Sequence, residues 1–202
     1  MERLLDRFRA AHTQVLGVSV DSVYCHANWA RDLGGISFPL LGDFHLKGAV
    51  AASYGVYLEP KGITDRATVI VDAKGVVRHA SSVTPAGERD IAALAGLCEE
   101  IDARFGAGLA AIPGPTGLRG EVTLYVKSDC GFSRAALLAR TNLHLEGSIP
   151  VRNVSEDPAQ REKVKKLSGK EQFPCLLLDG EPTFESADII RRLVAAGTDI
   201  AE

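Results

Sequence analysis

The sequence predicts an α/β protein built from two domains, in which strands and helices alternate along the chain. Its 202 residues are enough for two small domains. Short apolar runs alternate with amphipathic segments on both sides of residues 106–120. That stretch contains five glycines and two prolines and has no apolar periodicity, which is typical of a linker. We therefore predict a first domain over residues 1–105, a linker over 106–120 and a second domain over 121–202.

The composition argues against nucleic-acid and membrane partners. The net charge of −3 and the pI near 6.0 provide no basic surface for nucleic acid. No apolar run approaches the ~18 residues that span a bilayer, and the N-terminus has the pattern of an amphipathic helix rather than of a signal peptide. The four cysteines are scattered, without a C-x-x-C pair or a Cys/His cluster, so neither a disulfide framework nor a zinc site is expected. We expect a cytoplasmic protein.

The first domain begins with a helix pattern and continues into the apolar run 15–20. A continuous run of this kind is typical of a strand buried on both faces of a parallel sheet. The segment 67–80 has the pattern of a β-hairpin with a turn at Ala73-Lys74-Gly75. The predicted elements are a helix at 2–11, strands at 15–20 and 38–41, helices at 25–33 and 47–54, hairpin strands at 67–72 and 76–80, and a helix at 86–105.

The second domain is predicted to have the element order βαβαββα. This order is the thioredoxin arrangement. The predicted strands are 122–126, 149–154, 175–178 and 183–184, with a turn at Asp179-Gly180, and the helices are 132–143, 158–167 and 186–196.

Cys130 has the sequence context of a reactive thiol. It lies between a strand and an amphipathic helix, where free N–H groups and the helix dipole stabilise a thiolate. Lys127 adds a nearby cation. Ser133 occupies the position at which a dithiol oxidoreductase carries its second cysteine. The partner sulfur must therefore come from elsewhere.

Two further features support a site around Cys130. Phe173-Pro174 precedes a strand, where a cis peptide bond would turn backbone groups toward a bound disulfide or peptide. Glu185 and Ser186 open the last helix. Ser186 can cap this helix, and the free N–H groups there form a receptor for a carboxylate.

Together these residues resemble the glutaredoxin family over residues 121–196. The tetrad Cys130-Gly131-Phe132-Ser133 is that of monothiol glutaredoxins, and Glu185-Ser186 is similar to the glutathione site of glutathione transferases. The resemblance implies that Cys130 is catalytic. It also implies a glutathione-binding set in which Lys127 pairs with the glycine carboxylate, Phe173 and Pro174 hold the backbone, Glu185 and Ser186 hold the γ-glutamyl end, and Phe132 lies nearby.

The resemblance implies glutathione as the co-substrate, and glutathionylated proteins or disulfides as substrates. Cluster-binding monothiol glutaredoxins carry a more distant upstream lysine, a Trp-Pro pair and a Gly-Gly near the last helix. These features are missing here, which counts against a bridging [2Fe–2S] cluster. The predicted function is thiol–disulfide exchange of the deglutathionylation type. The alternative is a non-enzymatic glutathione or [2Fe–2S] carrier, or a binding module.

Residues 2–100 resemble the peroxiredoxin family. The motifs that carry the resemblance are Val15-Leu16-Gly17-Val18-Ser19-Val20-Asp21, His26-x-x-Trp29, Phe38-Pro39-Leu40-Leu41-x-Asp43 and Gly62-Ile63-x-x-Arg66-Ala67. The resemblance implies that Arg66 is a remnant of the peroxidatic site and allows a homodimer through this domain. It also implies an antioxidant hybrid, in which the second domain recycles the first.

The peroxidatic motif Pro-x-x-x-Thr-x-x-Cys does not occur in the sequence. We therefore expect the first domain to be incomplete at its N-terminus, and we expect no peroxidase activity by the family mechanism. In the family, a strand lies between those corresponding to 15–20 and 67–72, and its omission leaves backbone groups unpaired. Three explanations of the missing strand are open. The start codon is assigned too late, another chain supplies the strand, or the domain is built differently.

The other three cysteines are predicted to pack rather than react. Cys25 is expected to be a small buried residue at a helix start, with a resolving thiol as the alternative. Cys98 lies on an apolar helix face, and Cys175 begins an apolar strand. Cys130 is therefore the one cysteine to which we assign chemistry.

Overall fold

The computed structural model describes residues 1–45 and 47–198. The chain forms two compact units. The first contains residues 1–26 and 38–114, and the second contains residues 27–37 and those from Pro115 onward. This division places residues 27–37 with the second unit and divides the stretch 106–120 between Gly114 and Pro115. The domain and linker boundaries proposed from the sequence stay a prediction.

The second unit has the predicted βαβαββα order and a single four-stranded sheet. Strand order in this sheet is β10-β9-β7-β8. β7 runs parallel to β8 and antiparallel to β9, which pairs with β10 in a hairpin. This is the thioredoxin-like arrangement that the sequence predicted. The elements are β7 Val122–Val126, α5 Gly131–Asn142, β8 Val151–Asn153, α6 Pro158–Ser168, β9 Cys175–Leu178, β10 Glu181–Thr183 and α7 Ser186–Gly197.

The core of the second unit lies between the central strands and helices α5 and α7. Leu124 on β7 and Leu176 on β9 are fully buried beside Ile189 and Leu193 of α7. The apolar face of α7 supplies these two residues at a spacing of one helical turn, so the helix covers the sheet with one stripe. On the opposite side, Tyr125, Val164 and Cys175 form a smaller cluster. The sheet is therefore covered on both faces, as its apolar strands require.

Local sequence signals set the ends of α6. The Asp157 side chain accepts a hydrogen bond from the Ala159 N–H, and Pro158 occupies the first helical turn. Gly169 follows the helix with φ +70°, a left-handed conformation that glycine adopts without strain. These three residues explain why the helix begins and ends close to the predicted positions.

Within residues 1–45 and 47–114, the first unit contains three separate two-stranded sheets. β1 and β2 are parallel, whereas β3–β4 and β5–β6 are antiparallel hairpins. Short 3₁₀ helices span 2–4 and 59–61. The elements are α1 Leu5–Ala10, β1 Gly17–Ser19, α2 Val23–Asp32, β2 Leu40–Gly42, α3 Ala49–Ser53, β3 Tyr57–Leu58, β4 Ile63–Thr64, β5 Ala67–Val71, β6 Val77–Ser82 and α4 Ile91–Phe105.

The core of the first unit lies between α1 and α4. Phe8 and Ala11 pack against Ala95 and Cys98, and Ile70 of β5 covers this cluster. The predicted packing role of Cys98 is confirmed by its burial. α1 and α4 are also joined by an ion pair between Arg7 Nε and Glu99 Oε1 at 2.8 Å.

Two sequence predictions for the first unit are wrong in detail, and one hairpin was missed. The strand predicted over 15–20 is shorter and is not buried on both faces, since Val18 is 43% exposed. Among the described residues this strand, β1, pairs with one other strand, β2, so it is not an interior strand of a sheet. The helix predicted from 86 begins at Ile91, because Asp90 accepts the Ala93 N–H and caps it there. The β3–β4 hairpin was not predicted, because two-residue strands are too short to show a periodicity.

No helix within the described part of the chain is both long enough and apolar enough to cross a bilayer.

Truncation of Leu193 to alanine tests the packing of α7 against the sheet. Leu193 is fully buried, so the change should lower the free energy of unfolding by about 2–5 kcal/mol through lost apolar contacts and a cavity. Leu167→Ala is the matched control, because Leu167 is 51% exposed on α6 and its loss should cost less than about 0.5 kcal/mol. Urea denaturation followed by circular dichroism measures both, and equal losses would contradict the assigned packing.

Candidate active site

Cys130 lies at the carboxyl end of the central strand and directly precedes helix α5. Its backbone is extended, at φ −111° and ψ 114°, which is usual for the residue before a helix. The Cys130 carbonyl accepts the Arg134 N–H at 2.9 Å and so closes the first helical turn. The thiol is half-buried and is not in a disulfide. The sequence prediction of a strand-to-helix cysteine is confirmed.

The surroundings of Cys130 lower the pKa of its thiol. The Ser133 hydroxyl, which hydrogen-bonds to the sulfur, makes the largest contribution. The backbone N–H groups of Ser133 and Phe132 and the positive charge of Lys127 also lower this pKa, whereas burial opposes them. Each favourable group stabilises the thiolate, which is the nucleophilic form of cysteine.

Ser133 connects the thiol to the preceding loop. Its side chain is almost fully buried, and its Oγ accepts the Lys127 N–H at 3.1 Å. Because the oxygen is occupied as an acceptor, the hydroxyl proton is available to donate to the Cys130 sulfur. From the sequence, Ser133 was predicted only as the site of a missing thiol. The sequence does contain a signal for the contact with Cys130. Ser133 lies three residues after Cys130, the residue that precedes α5, and a side chain at that position reaches back to the start of the helix.

Phe173 and Pro174 lie beside the strand end that carries the Cys130 loop. The Phe173–Pro174 peptide bond is cis, as the sequence analysis expected. Cys175, the next residue, is paired with Tyr125 near the end of β7. Phe173 packs against the cluster formed around Tyr125 and Cys175. The proline segment and the Cys130 loop therefore meet at the same edge of the sheet.

Glu185 and Ser186 lie at the same edge of the sheet, because they follow β10 of the β9–β10 hairpin. Thr183 of β10 pairs with Leu176, and the Gln172 Nε2 donates to Glu185 Oε1 at 2.6 Å. Ser186 is the first residue of α7, and Glu185 precedes it with a left-handed φ of +56°. Neither side chain caps the helix, so the predicted capping role of Ser186 is wrong. Gln172 was not singled out by the sequence.

The remaining predicted residues of this site are accessible. Phe132 is 67% exposed, and Lys127 is also exposed. The site is thus open to solvent on the side of Phe132, which allows a bulky disulfide to approach Cys130.

The other cysteines differ from Cys130 in burial and partners. Cys25 is exposed, and its Sγ lies 3.7 Å from Asp21 Oδ1, so the prediction of a buried residue is wrong. Its side chain projects from the first turn of α2, away from the packed face. Cys175 is fully buried, as predicted, and burial raises its pKa to about 11. Burial also raises the pKa of Cys98.

Arg66 lies in the first unit, one residue before β5. It is exposed, and its backbone N–H donates to Asp65 Oδ1 at 2.8 Å. The neighbouring Arg89 donates to the Ala67 carbonyl at 2.7 Å. Burial lowers the pKa of Arg89, and the charge of Arg66 lowers it further. Two guanidinium groups therefore lie close together at the start of β5.

Across residues 1–45 and 47–198, no three His, Cys, Asp or Glu side chains are grouped in a way that could hold a metal ion.

The second unit combines a thioredoxin-like fold with a cysteine whose pKa is lowered, which is the arrangement of a nucleophilic thiol. Residues 1–80 match the model of the AhpC/TSA family, and residues 122–182 match the glutaredoxin model. The first part of the chain is therefore similar to peroxiredoxins and the second part to glutaredoxins, as the two resemblances implied.

Relatives of the first part are peroxiredoxins. The chain is 40% identical over 86 residues to alkyl hydroperoxide reductase E of Mycobacterium tuberculosis, which covers 43% of this chain and 56% of the relative. It is 41% identical over 81 residues to peroxiredoxin-4 of Bos taurus, covering 37% of this chain and 29% of the relative. A solved structure of Enterococcus faecalis AhpC is 26% identical with a TM-score of 0.48, covering 55% of this chain and 67% of that one. The chain thus spans little more than half the length of the mycobacterial relative.

Replacing Ser133 with alanine should raise the pKa of the Cys130 thiol, because the largest stabilising contact of the thiolate is lost. The profile of Cys130 alkylation rate against pH should then move to higher pH. At neutral pH the rate should fall about tenfold, because a hydrogen bond to a charged group contributes ~1.5 kcal/mol, which corresponds to a factor of about ten. Mass spectrometry of the Cys130 peptide gives the rate.

Two variants control this experiment. Lys127→Met removes a smaller contribution to the lowered pKa and should shift the profile less than Ser133→Ala does. Ser168→Ala removes a hydroxyl that donates to the Val164 carbonyl on α6, and it should leave the profile unchanged. A profile of Ser133→Ala that coincides with the wild-type profile would refute the role of the hydroxyl.

The native protein should be alkylated at Cys25 and Cys130 at neutral pH. Cys98 and Cys175 should react only after denaturation, because burial removes access and raises both pKa values. Site-resolved labelling with and without urea measures this, and rapid labelling of Cys175 in the folded protein would contradict it.

Proposed function

We propose that the protein is a monothiol thiol–disulfide oxidoreductase that removes glutathione from mixed disulfides. One observation carries this proposal: Cys130 has a lowered pKa, held down chiefly by a serine at the position where a dithiol enzyme has its second cysteine. A nucleophilic thiol without a neighbouring resolving thiol favours exchange with a thiol from solution.

The reaction consists of two exchange steps. The Cys130 thiolate attacks the glutathione sulfur of a protein–glutathione disulfide. The new Cys130–glutathione disulfide forms as the original S–S bond breaks, and the protein thiolate leaves with the electron pair. A second glutathione thiolate then attacks the glutathione sulfur bound to Cys130, which releases oxidised glutathione and regenerates the Cys130 thiolate.

The glutathione-binding roles belong to the same proposal. Lys127 would pair with the glycine carboxylate, and Phe173 and Pro174 would align the peptide backbone. Glu185 and Ser186 would receive the γ-glutamyl end, with Phe132 at the open side. Support comes from their arrangement: the residues around Pro174 and Glu185 meet at the sheet edge where the Cys130 loop begins.

We propose that the second unit recycles an oxidised peroxidatic cysteine, as part of a cytoplasmic antioxidant hybrid. That cysteine would belong to a polypeptide that carries the Pro-x-x-x-Thr-x-x-Cys motif, which does not occur in residues 1–202. The domain order supports this, because a peroxiredoxin-type segment is joined to a glutaredoxin-type segment in one chain. A covalent connection raises the effective concentration of one unit near the other. A homodimer through the first unit belongs to the same proposal, with Arg66 as a remnant of the peroxidatic site.

Cys130→Ser should abolish the release of glutathione from a glutathionylated test protein, because the attacking thiolate is lost. Cys25→Ser is the matched control, since it removes the other exposed thiol and should leave at least half of the activity. The assay couples oxidised glutathione to its reductase and follows NADPH consumption. Equal rates for wild type and Cys130→Ser would refute the proposal. A cluster-type absorbance after anaerobic reconstitution, without exchange activity, would favour the carrier alternative.

A further inference from the structure

We infer that Asn153 is a positioning residue for Cys130, acting through the loop that joins β7 to α5. This inference goes beyond the residues that bind substrate. It rests on the proposed function only for its activity readout, since thiol reactivity can be measured without glutathione.

Asn153 lies next to the point at which the Cys130 loop leaves the sheet. It is the last residue of β8 and is paired with Val126, the last residue of β7. The next residue, Val154, donates its N–H to the Val126 carbonyl at 2.9 Å. Parallel strands end at the same edge of a sheet, so the segments that follow Val126 and Asn153 run side by side.

A closed ring of three hydrogen bonds joins these segments. Asn153 Nδ2 donates to Ser128 Oγ at 2.9 Å, the Ser128 N–H donates to Ser155 Oγ at 3.1 Å, and the Ser155 N–H donates to Asn153 Oδ1 at 3.1 Å. A fourth bond, from Asn153 Nδ2 to Glu156 Oε1 at 2.6 Å, holds the amide in place. Both the backbone and the side chain of Ser128 are therefore fixed to the β8–α6 connection.

The loop needs this support because packing does not supply it. Lys127, Ser128 and Asp129 are all exposed, and Asp129 has a left-handed φ of +54°. A non-glycine residue in that conformation must be held by its surroundings. The ring acts on Ser128, the residue between Lys127 and Asp129. By holding Ser128, the ring also holds the Lys127 N–H, which donates to Ser133 Oγ. It likewise holds the backbone that leads from Ser128 to Cys130.

Asparagine suits the ring because it carries a donor and an acceptor on one planar group. Nδ2 donates to Ser128 and Glu156, while Oδ1 accepts from Ser155. Asn153→Asp keeps an acceptor for the Ser155 N–H and an oxygen to which the Ser128 hydroxyl can donate, but it loses the bond to Glu156 and places a second carboxylate beside it. Asn153→Asp should therefore weaken the ring less than Asn153→Ala does.

The test measures the alkylation rate of the Cys130 peptide at several pH values in a Cys25→Ser background. Asn153→Ala should shift the profile to higher pH and lower the rate at neutral pH about three- to tenfold, because the groups that stabilise the thiolate are then less well placed. Asn153→Asp should shift the profile in the same direction by a smaller amount. In the deglutathionylation assay, kcat should fall by a larger factor than KM for glutathione rises, because the ring reaches the proposed glutathione-binding residues only through Lys127, which adjoins Ser128.

Asn142→Ala is the matched control. Asn142 ends α5 far from Cys130 along the helix, where its Nδ2 donates to the Ala27 carbonyl at 3.0 Å. This change should leave the Cys130 profile unchanged. Ser155→Ala is a milder change in the ring, since it removes the acceptor of the Ser128 N–H but keeps Asn153. It should shift the profile in the same direction by a smaller amount, which keeps the inference testable if the Asn153 variants do not fold.

If both Asn153 variants and Ser155→Ala have the same alkylation profile as the wild-type protein, the inference is overturned. If instead the profiles shift while wild-type protein releases no glutathione from mixed disulfides, the proposed function fails and the positioning role stands. A change confined to KM, with an unaltered profile, would also count against the ring.

Discussion

The contact of the Ser133 hydroxyl with the Cys130 thiol makes the largest contribution to the lowered pKa of that thiol, and the proposed chemistry depends on it. It requires that the Ser133 oxygen be satisfied from another side, which the Lys127 N–H does at 3.1 Å. It also requires that the first turn of α5 be fixed against the sheet, which the burial of Ser133 and Ala136 achieves. The end of β7, the loop that follows it and the first turn of α5 thus together form the surroundings of the Cys130 sulfur. The thiolate is stabilised by groups whose positions the fold has already set.

Cys130 and Cys175 show how position decides the reactivity of a thiol. Both lie at the same edge of one sheet, since Cys175 pairs with Tyr125 close to the start of the Cys130 loop. Cys175 points into an apolar cluster, where burial raises its pKa to about 11. Cys130 faces donors and remains partly accessible, so the pKa of its thiol is lowered. The second sulfur of the exchange must then come from a substrate or from a thiol in solution.

The first unit is built differently, with three two-stranded sheets and a core between α1 and α4. β1 and β5 each have one neighbouring strand among the described residues, although their sequence resembles that of strands in a larger sheet. A β-strand that lacks a second neighbour leaves backbone groups available for pairing. The same unit carries Arg66 and Arg89, whose adjacent positive charges suit an anionic group.

The sequence by itself determined the element order of the second unit, the location of Cys130 before a helix and the linker-like stretch between two domains. These follow from apolar periodicity, glycine and proline content and the strand-to-helix motif, all of which are local. It could not determine that Ser133 binds the sulfur, that Asn153 and Ser155 fix Ser128, or that Gln172 holds Glu185. The contacts of Ser128 and Glu185 join segments brought together by sheet pairing, whereas the contact of Ser133 lies within one helix start and its signal was the spacing of three residues from Cys130. It also mispredicted the burial of Cys25 and of strand 15–20, because burial depends on which neighbours cover a segment. Local pattern therefore places the nucleophile, whereas only the tertiary structure decides what stabilises it.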